Sequence, residues 1–215
     1  MQEDLSQYRK SYDKQHLLEN NCPENPMDLF KQWFLYADRS KTIEEPNAFT
    51  LSTIGQDSFP KNRIVLLKKY SSEGFVFYTN YNSEKGKAIQ KNNHTCLSFF
   101  WPALEQQIII KGTAKKLSEN VSDSYFESRP EGSKLGAWAS NQSDAVNSRE
   151  DLDRSLNSYQ QEFEGKKIPR PPHWGGFLVK PISIEFWQGR PNRMHDRILY
   201  TLLEDFSWKI QRLAP

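Results

Sequence analysis

The order of hydrophobic and polar positions separates one early helix from a longer region of strands. Asn25-Pro26 supplies an N-cap and a first-turn proline, and apolar residues then recur at helical spacing over 27–37. This spacing predicts an amphipathic helix that ends near Ser40. Residues 1–24 are polar and charged, so we expect a flexible N-terminal segment ahead of a single domain over 25–215.

From residue 49 onward, apolar positions alternate with polar ones, as expected for β-strands with one buried face. We predict strands over 49–53, 61–70, 75–79, 95–101, 106–117, 177–180, 182–188, 195–203 and 208–213, helices over 83–90, from 118 and from 148, and a loop over 131–147. Antiparallel strands interrupted by helices favour an α+β fold whose antiparallel sheet closes into a barrel. No GxGxxG sequence follows a predicted strand, which argues against a Rossmann-type cofactor site.

The composition favours a folded chain despite a low apolar content. Hydrophobic residues are only 36% of the 215 residues, but 6 Trp, 9 Tyr and 13 Phe bring the aromatic share to 13%. Disordered chains are poor in aromatic residues, so this chain is expected to fold. The balance of 29 basic against 27 acidic residues gives +2, which provides no general field for nucleic acid.

Several classes of protein are excluded by what the sequence lacks. No apolar run approaches the roughly 20 residues of a membrane helix, and the first residues carry no signal-peptide pattern, so we expect a cytoplasmic protein without a membrane partner. Cys22 and Cys96 are too few for a disulfide framework. The four histidines show no metal-ligand spacing, so we expect no structural metal.

Two groups of residues suggest anion binding. In the strand at 63–68, Arg63 and Lys68 point to opposite faces and could serve two anions. A half-buried strand with charged ends is the alternative. Tyr125, Arg129 and Ser133 place two hydroxyls and a guanidinium near one helix end, which suits a phosphate monoester. An exposed helix end with a Tyr–Arg stack explains this second group equally well.

The most specific pattern lies in residues 184–197, with the sequence IEFWQGRPNRMHDR. Three arginines, a histidine, a tryptophan and a glutamine within one strand–loop–strand unit would be costly to bury without anionic or aromatic ligands. The density of these side chains indicates a binding site, but propensity alone does not identify the ligand.

This segment closely resembles the C-terminal signature of the pyridoxine (pyridoxamine) 5′-phosphate oxidases, the FMN enzymes that complete pyridoxal 5′-phosphate synthesis. The resemblance also covers RIVLLK at 63–68, FVFYTN at 75–80, LEQQ at 104–107, SRPEGSKLGAWASNQS at 128–143, HWGGF at 173–177 and RLAP at 212–215. It implies an antiparallel split β-barrel with peripheral helices, working as a homodimer with FMN at the subunit interface. The implied reaction oxidises pyridoxamine or pyridoxine 5′-phosphate with dioxygen and releases hydrogen peroxide.

The resemblance also implies a role for individual residues. By position, FMN would be contacted by Arg63, Ile64, Val65, Leu66, Leu67, Lys68, Tyr78, Thr79, Lys85, Gln107, Gln142, Ser143, Trp187 and Arg197. Among these, Arg63 and Lys85 would hold the FMN phosphate. The substrate phosphate would be bound by Lys68, Tyr125, Arg129 and Ser133. Arg193 and His195 would act as catalytic residues that also bind the substrate, over its pyridine ring, and Arg9 and Tyr12 would close the pocket.

One position departs from the family pattern. Where the family usually has an arginine before the lysine of its S-R-K motif, this chain has Ser83-Glu84-Lys85. A carboxylate close to a phosphate is repelled by roughly 4 kcal/mol at 4 Å and an effective dielectric of ~20. Either Glu84 turns outward and favours the helix N-terminus, or Lys87 supplies the missing charge. We predict weaker FMN retention than in relatives with arginine there.

Two rival functions of other classes remain open at this stage. The first is a split-barrel protein that binds FMN or pyridoxal phosphate as a carrier or sensor without catalysis. Intact Arg193, His195 and Lys68 argue against it. The second is a different flavin enzyme of the same fold, such as a flavin reductase, for which residues for two phosphates would be unnecessary.

Overall fold

The structure, a computed structural model, describes residues 3–215, so the first two residues of the predicted N-terminal segment lie outside it. Within these residues the helices are α1 (Pro26–Arg39), α2 (Glu84–Lys91), α3 (Glu119–Glu127), α4 (Glu131–Ala139) and α5 (Arg149–Glu162). The strands are β1 (Ala48–Ile54), β2 (Pro60–Leu66), β3 (Lys69–Ser71), β4 (Gly74–Asn80), β5 (His94–Trp101), β6 (Gln106–Lys116), β7 (Trp174–Gln188), β8 (Asp196–Leu202) and β9 (Trp208–Arg212). The hydrogen-bonded strand order is β2-β1-β5-β6-β7-β4-β3, and β8 pairs with both β7 and β9.

The chain divides into two compact units, each built from separate stretches of sequence. Unit 1 comprises the described residues up to 49, 97–111 and 181–215, and unit 2 comprises 50–96 and 112–180. The predicted boundary at residue 24 between a flexible segment and a single domain stays a prediction. None of the helices within residues 3–215 combines the length and apolarity needed to cross a membrane.

Unit 1 packs α1 onto aromatic residues of the sheet. Asn25 caps the helix as predicted, because its side chain accepts a hydrogen bond from the Met27 amide at 2.9 Å. On the buried face, the Phe30 ring lies 5.4 Å from Phe99 and the Trp33 ring 5.3 Å from Phe186, both edge-on. The C-terminal half of β7 pairs antiparallel with β8, with Trp187 opposite Arg197 and Gln188 opposite Asp196.

Unit 2 pairs β4 with the N-terminal half of β7, and this pairing explains the two glycines of the HWGGF sequence. Tyr78 lies opposite Gly176, and Thr79 lies opposite Gly175. A Cβ atom at Gly176 would lie 2.8 Å from the Tyr78 ring, and one at Gly175 would lie 2.2 Å from the Tyr81 hydroxyl. The glycines therefore leave room for aromatic side chains to lie across the strand.

The predicted loop over 131–147 is wrong in its first half. Glu131–Ala139 forms α4, although glycine and serine disfavour helix. Its buried face compensates, because Leu135 is buried and the Trp138 ring lies 5.7 Å from Tyr159 of α5. Packing against a neighbouring helix therefore overrides the weak local propensity.

Two predicted strand boundaries also differ from the structure. The strands predicted over 177–180 and 182–188 are one strand, β7, which runs through Pro181. A proline removes one ladder donor but is compatible with an extended backbone at positions where that donor is not required. In contrast, the strand predicted over 61–70 ends at Leu66, and the chain pairs again only from Lys69.

Candidate active site

Unit 2 contains a cleft of about 470 Å³ that we call the cationic cleft. Its lining combines basic, hydroxyl, amide and aromatic side chains: Ile64, Val65, Leu66, Lys68, Tyr78, Thr79, Lys85, Tyr125, Ser128, Arg129, Pro130, Ser133, Gln142 and Trp174. The four residues assigned by resemblance to a substrate phosphate are all in this lining. The segment between β2 and β3, the start of α2 and the turn between α3 and α4 supply the basic side chains.

Lys85 is the most buried cation of the cleft. It lies in the first turn of α2, is 9% exposed, and donates hydrogen bonds to Gln142 Oε1 at 3.0 Å and Ser83 Oγ at 3.4 Å. Burial, assisted by the nearby Arg63 guanidinium, lowers the pKa of Lys85 to about 8. Both hydrogen-bond partners are uncharged, so the ammonium lacks a compensating carboxylate in its immediate contacts.

The start of α2 is itself suited to an anion. The Ser83 side chain caps the helix by accepting from the Gly86 amide at 3.3 Å. A Cβ atom at Gly86 would lie 2.3 Å from the Tyr81 carbonyl oxygen, so only glycine lets the helix begin this close to the end of β4. The helix dipole adds positive potential beside Lys85.

The loop before α5 closes over this helix start. Gln142 Oε1 accepts from the Thr79 hydroxyl at 3.4 Å as well as from Lys85. Ser143 has a left-handed backbone with φ 79°, and its Oγ accepts the Glu84 amide at 3.2 Å. The structure therefore brings together Thr79, Lys85, Gln142 and Ser143, which were predicted to contact one ligand.

Arg63 is held at the rim of this site by β1 and β2. Its Nη1 atom donates to Thr53 Oγ1 at 2.7 Å, to the Lys61 carbonyl at 2.9 Å and to the Leu51 carbonyl at 3.2 Å. Burial lowers the pKa of Arg63 below its usual value. Its Nη2 atom lies 3.8 Å from Glu84 Oε2.

Glu84 lies exposed in the first turn of α2, in keeping with the first of the two arrangements expected from the sequence, and it also forms ion pairs. Its carboxylate is half-exposed and lies 3.4 Å from the Lys61 ammonium as well as 3.8 Å from Arg63. Lys61 also pairs with Asp57 at 3.1 Å. Lys61 was not predicted as a site residue, because nothing in the alternation of β2 indicates that its side chain reaches the start of α2. Lys87 is exposed on that helix.

Arg129 lies in the turn between α3 and α4, against a stack of aromatic rings. Tyr78 and Tyr125 stack at 3.8 Å, and Tyr78 lies parallel to Trp174 at 5.6 Å. The Arg129 guanidinium sits 4.3 Å from the centre of the Trp174 ring. Its Nη1 atom is buried without a hydrogen-bond partner among the described residues, and burial lowers the pKa of Arg129.

An unpartnered buried guanidinium atom is costly unless a ligand satisfies it. Lys68 and Ser133 are exposed and line the same cleft. Burial raises the pKa of both Tyr78 and Tyr125, so their hydroxyls stay protonated at neutral pH. Trp174 was not predicted as a site residue, although the HWGGF sequence that contains it was part of the resemblance. Leu67 is buried and does not line the cleft.

Unit 1 contains a second concave site of about 590 Å³ that we call the histidine site. It is lined by Tyr8, Arg9, Lys10, Ser11, Tyr12, Arg190, Asn192, Arg193 and His195. All four residues predicted here, Arg9, Tyr12, Arg193 and His195, are in its lining. Asn192 and Arg193 both have left-handed backbones, with φ 56° and 61°, an arrangement of the kind that stores strain at functional sites.

His195 is oriented by its neighbours. Its Nδ1 atom accepts the Arg190 amide at 3.1 Å, so the neutral ring carries its proton on Nε2. The ring lies 4.7 Å from Trp187 and 5.9 Å from Tyr12. Burial and the charge of Arg193 lower the pKa of His195, which keeps the imidazole neutral at pH 7.

The other arginines of residues 184–197 already have carboxylate partners. Arg190 pairs with Asp196 at 2.8 Å, and Arg197 pairs with Glu185 at 2.7 Å and donates to the Ala214 carbonyl at 2.9 Å. Two of the three arginines are therefore neutralised within the chain, so the number of arginines alone does not indicate an external anion, and the predicted binding site of residues 184–197 stays a prediction. Gln107, Trp187 and Arg197 belong to unit 1, where Gln107 donates to Ser98 Oγ at 3.2 Å, and their predicted contacts with FMN stay predictions.

Comparison with solved structures defines the class of fold. PhzG from Burkholderia lata 383, solved with tetrahydrophenazine-1-carboxylic acid, aligns with a TM-score of 0.86 and 29% identity over 96% of this chain and 100% of that one. A pyridoxamine 5′-phosphate oxidase-related FMN-binding protein from Nostoc punctiforme aligns with a TM-score of 0.70 and 16% identity, over 90% and 100% of the two chains. The fold is thus the predicted antiparallel split barrel.

Sequence comparison defines the family. Residues 38–158 match the family described as pyridoxamine 5′-phosphate oxidase, and residues 174–215 match the pyridoxine 5′-phosphate oxidase C-terminal dimerisation region. The pyridoxine/pyridoxamine 5′-phosphate oxidase of Flavobacterium johnsoniae is 61% identical over 98% of this chain and 99% of its own length. That of Nostoc sp. is 48% identical over the full length of both chains. The chain belongs to the pyridoxine/pyridoxamine 5′-phosphate oxidase family.

FMN is the cofactor of this family, and the residues present fit it. Lys85 is a buried cation with only neutral partners, and it lies at a capped helix start beside Arg63. A phosphate monoester suits that donor set. Arg129 offers a separate unpartnered donor in the same cleft, so the chain has cations for a second anionic group.

Proposed function

We propose that this protein is an FMN-dependent oxidase that converts pyridoxamine 5′-phosphate and pyridoxine 5′-phosphate to pyridoxal 5′-phosphate. Dioxygen is the electron acceptor and hydrogen peroxide the second product. The observation that carries the proposal is Arg129, which lines a cleft with Lys68, Tyr125 and Ser133 and has a buried Nη1 atom without a hydrogen-bond partner among the described residues. A flavin enzyme with an unphosphorylated substrate would not need this second set of cations. The cytoplasm is the proposed location.

Two sets of residues would hold FMN. Lys85, Arg63, Gln142 and Ser143 would bind its phosphate, in keeping with the donors gathered at the start of α2. The remaining contacts are proposed for Ile64 to Lys68, Tyr78, Thr79, Gln107, Trp187 and Arg197. FMN, when bound, would supply the hydride acceptor that the side chains lack, with dioxygen as the final electron acceptor. We propose that the active form is a homodimer with FMN at its interface, which agrees with the match of residues 174–215 to a dimerisation region.

The substrate phosphate is assigned to Lys68, Tyr125, Arg129 and Ser133. Arginine binds two phosphate oxygens at once, and the Trp174 ring beneath the Arg129 guanidinium restricts its orientation. The two hydroxyls complete the set as neutral donors. Fixing the phosphate limits the positions open to the reacting C4′ carbon. This lowers the entropic cost of aligning the substrate for reaction.

Arg193 and His195 are assigned to the pyridine ring and its C4′ substituent. Because His195 accepts the Arg190 amide at Nδ1, its Nε2 presents a proton and not a lone pair. A neutral imidazole in this tautomer donates a hydrogen bond to the oxygen or nitrogen at C4′ and holds it in place. Arg193 is exposed in the strained turn before β8, and it orients the substrate and stabilises negative charge that develops on the ring.

The deciding experiment is to purify the protein, record its flavin absorbance, and measure peroxide release with pyridoxamine 5′-phosphate and with unphosphorylated pyridoxamine. We expect a yellow protein that releases peroxide with the phosphorylated amine and far less with the other. A colourless protein that stays inactive with added FMN would overturn the proposal. Binding without peroxide release would indicate a carrier, and flavin reduction by a nicotinamide cofactor without a phosphorylated substrate would indicate a reductase.

A further inference from the structure

Glu105 is a buried carboxylate outside the residues assigned to either ligand. It lies in the turn between β5 and β6, has a left-handed backbone with φ 57°, and is 1% exposed. Its Oε2 atom accepts the amides of Asp13 at 2.9 Å and Lys14 at 3.1 Å. The Lys10 ammonium lies 3.5 Å from Oε1. A single buried acid therefore binds the N-terminal part of the chain at two successive amides.

Residues 8–17, which we call the N-terminal strap, carry Tyr12 onto the histidine site. The Tyr12 ring lies edge-on to Trp187 at 5.8 Å and 5.9 Å from His195. A Cβ atom at Gly189 would lie 2.8 Å from Tyr12, so the strap passes directly over the end of β7. Arg9 lines the same site.

Glu105 joins the strap to this part of β7 through its own backbone. Its carbonyl oxygen accepts the Gly189 amide at 2.8 Å and the Gln188 side-chain amide at 3.2 Å. The Glu105 side chain thus accepts hydrogen bonds from the strap, while its main-chain carbonyl accepts hydrogen bonds from the end of the strand that carries Trp187. A second anchor lies further along, where Asp196 Oδ2 accepts the Leu17 amide at 3.1 Å. N-terminal to Asp13, the strap contacts the rest of unit 1 through Lys10, whose ammonium lies near Glu105, and through Tyr12, whose ring lies near Trp187 and His195.

We propose that Glu105 is a positioning residue: it anchors the N-terminal strap so that Tyr12 and Arg9 are held over His195 and enclose the substrate. Two charge-assisted hydrogen bonds fix the peptide groups on either side of the Asp13 Cα atom far better than exposed contacts would. The kinetic part of this proposal rests on the proposed function, whereas the anchoring itself does not.

Amide hydrogen exchange of the strap tests the anchor in the full-length protein without any turnover. In the wild-type protein we expect slow exchange at residues 13 and 14, and in Glu105→Ala exchange at the rate of an open segment. Because removal of a buried residue can prevent folding, the second variant is Asp13→Pro, which deletes one accepted amide and leaves Glu105 in place. Asp13→Ala is its matched control, since it keeps the amide and removes only an exposed side chain.

Steady-state kinetics test whether a loosened strap weakens substrate binding. We expect Asp13→Pro to raise KM for pyridoxamine 5′-phosphate about tenfold while kcat changes by less than about twofold, because the loss is in binding and not in the chemical step. Asp13→Ala should leave both constants unchanged. The proposal would be overturned by unchanged exchange of the Lys14 amide in Asp13→Pro together with unchanged exchange of the Asp13 and Lys14 amides in Glu105→Ala. Faster exchange with an unchanged KM would overturn it as well. If the wild-type protein does not oxidise the substrate at all, the proposed function fails and the exchange comparison still decides the anchor.

Discussion

Three partly buried arginines of unit 1 have carboxylate partners, whereas two buried cations of the cationic cleft in unit 2 do not. In unit 1, Arg190, Arg197 and Arg212 each lie within 2.8 Å of a carboxylate oxygen, of Asp196, Glu185 or both Glu19 and Asp196. In the cationic cleft of unit 2, Lys85 and Arg129 form no ion pair within the described residues, and burial lowers the pKa of each. Charge that the protein neutralises itself stabilises the fold, and charge left without a partner marks the place of an anionic ligand.

Removing a carboxylate that partners the arginines of unit 1 should cause the largest loss in the free energy of unfolding. Asp196 accepts from Arg190, Arg212 and the Leu17 amide, so Asp196→Ala leaves two arginines and an amide without their acceptor. We expect a loss of about 3 kcal/mol in the free energy of unfolding, measured by urea denaturation. Glu127→Gln is the control, because its exposed pair with Lys167 contributes about 0–1 kcal/mol. Equal losses of unfolding free energy in Asp196→Ala and Glu127→Gln would show that the ion pairs of Asp196 contribute no more than an exposed pair.

Removing an unpaired cation from the cationic cleft should weaken substrate binding without lowering the free energy of unfolding. Arg129→Met removes the buried guanidinium while keeping an apolar side chain on Trp174. We expect KM for pyridoxamine 5′-phosphate to rise roughly 30- to 1,000-fold, or about 2–4 kcal/mol, and the free energy of unfolding of the ligand-free protein to stay equal or increase. Arg149→Met, at an exposed pair in α5, serves as the control. A destabilised Arg129→Met protein with normal KM would show that Arg129 is structural.

FMN binding should depend on pH through Lys85. With the pKa of Lys85 at about 8 in the ligand-free protein, the ammonium is charged below that pH and is lost as pH rises through it. The dissociation constant for FMN, measured by flavin fluorescence, should therefore increase above about pH 8. Lys85→Met should raise that constant roughly 10- to 100-fold at pH 7 and abolish this pH dependence, since a hydrogen bond to a charged group contributes about 1.5–3 kcal/mol.

Lys87→Met is the matched control for this prediction, because Lys87 lies in the same turn of α2 but is exposed. Its FMN affinity should equal that of the wild-type protein at every pH. If Lys87→Met weakens binding as much as Lys85→Met, then the exposed lysine supplies the charge that the family usually places at position 84.

The smallest effect on FMN affinity is expected at Glu84, a carboxylate with ion-pair partners that lies next to Lys85 of the cationic cleft. Glu84 pairs with Lys61 and Arg63 at a half-exposed position, so Glu84→Gln should lower the FMN dissociation constant only about threefold, within the 0.2–1 kcal/mol of exposed pairs. Glu84→Arg should lower it further, and Lys61→Gln should raise it. An unchanged or higher constant in Glu84→Arg would contradict the prediction that this carboxylate weakens FMN retention.

Local signals in the sequence predicted much of the secondary structure. The Asn25 cap and the spacing after it define α1 as predicted, and a helix does begin after Ser148, which caps α5 by accepting the Asp151 amide at 3.3 Å. The region that escaped prediction is α4, whose glycines and serines give a weak helix signal until Trp138 packs on α5. Caps act between residues a few positions apart and are visible in the sequence, whereas packing depends on residues far apart in the chain.

The split-barrel fold class, the family and the cations of the cationic cleft could all be named from the sequence and its resemblance to the family. The folded structure was needed to show which charged groups have partners: Arg190, Arg197 and Glu84 form ion pairs, whereas Nη1 of Arg129 is buried without a hydrogen-bond partner among the described residues. It alone also placed the amides of Asp13 and Lys14 on Glu105, about 90 residues away in the chain. The physical reason is that Coulomb and hydrogen-bond energies depend on distance and burial in space, and neither is encoded by spacing along the chain.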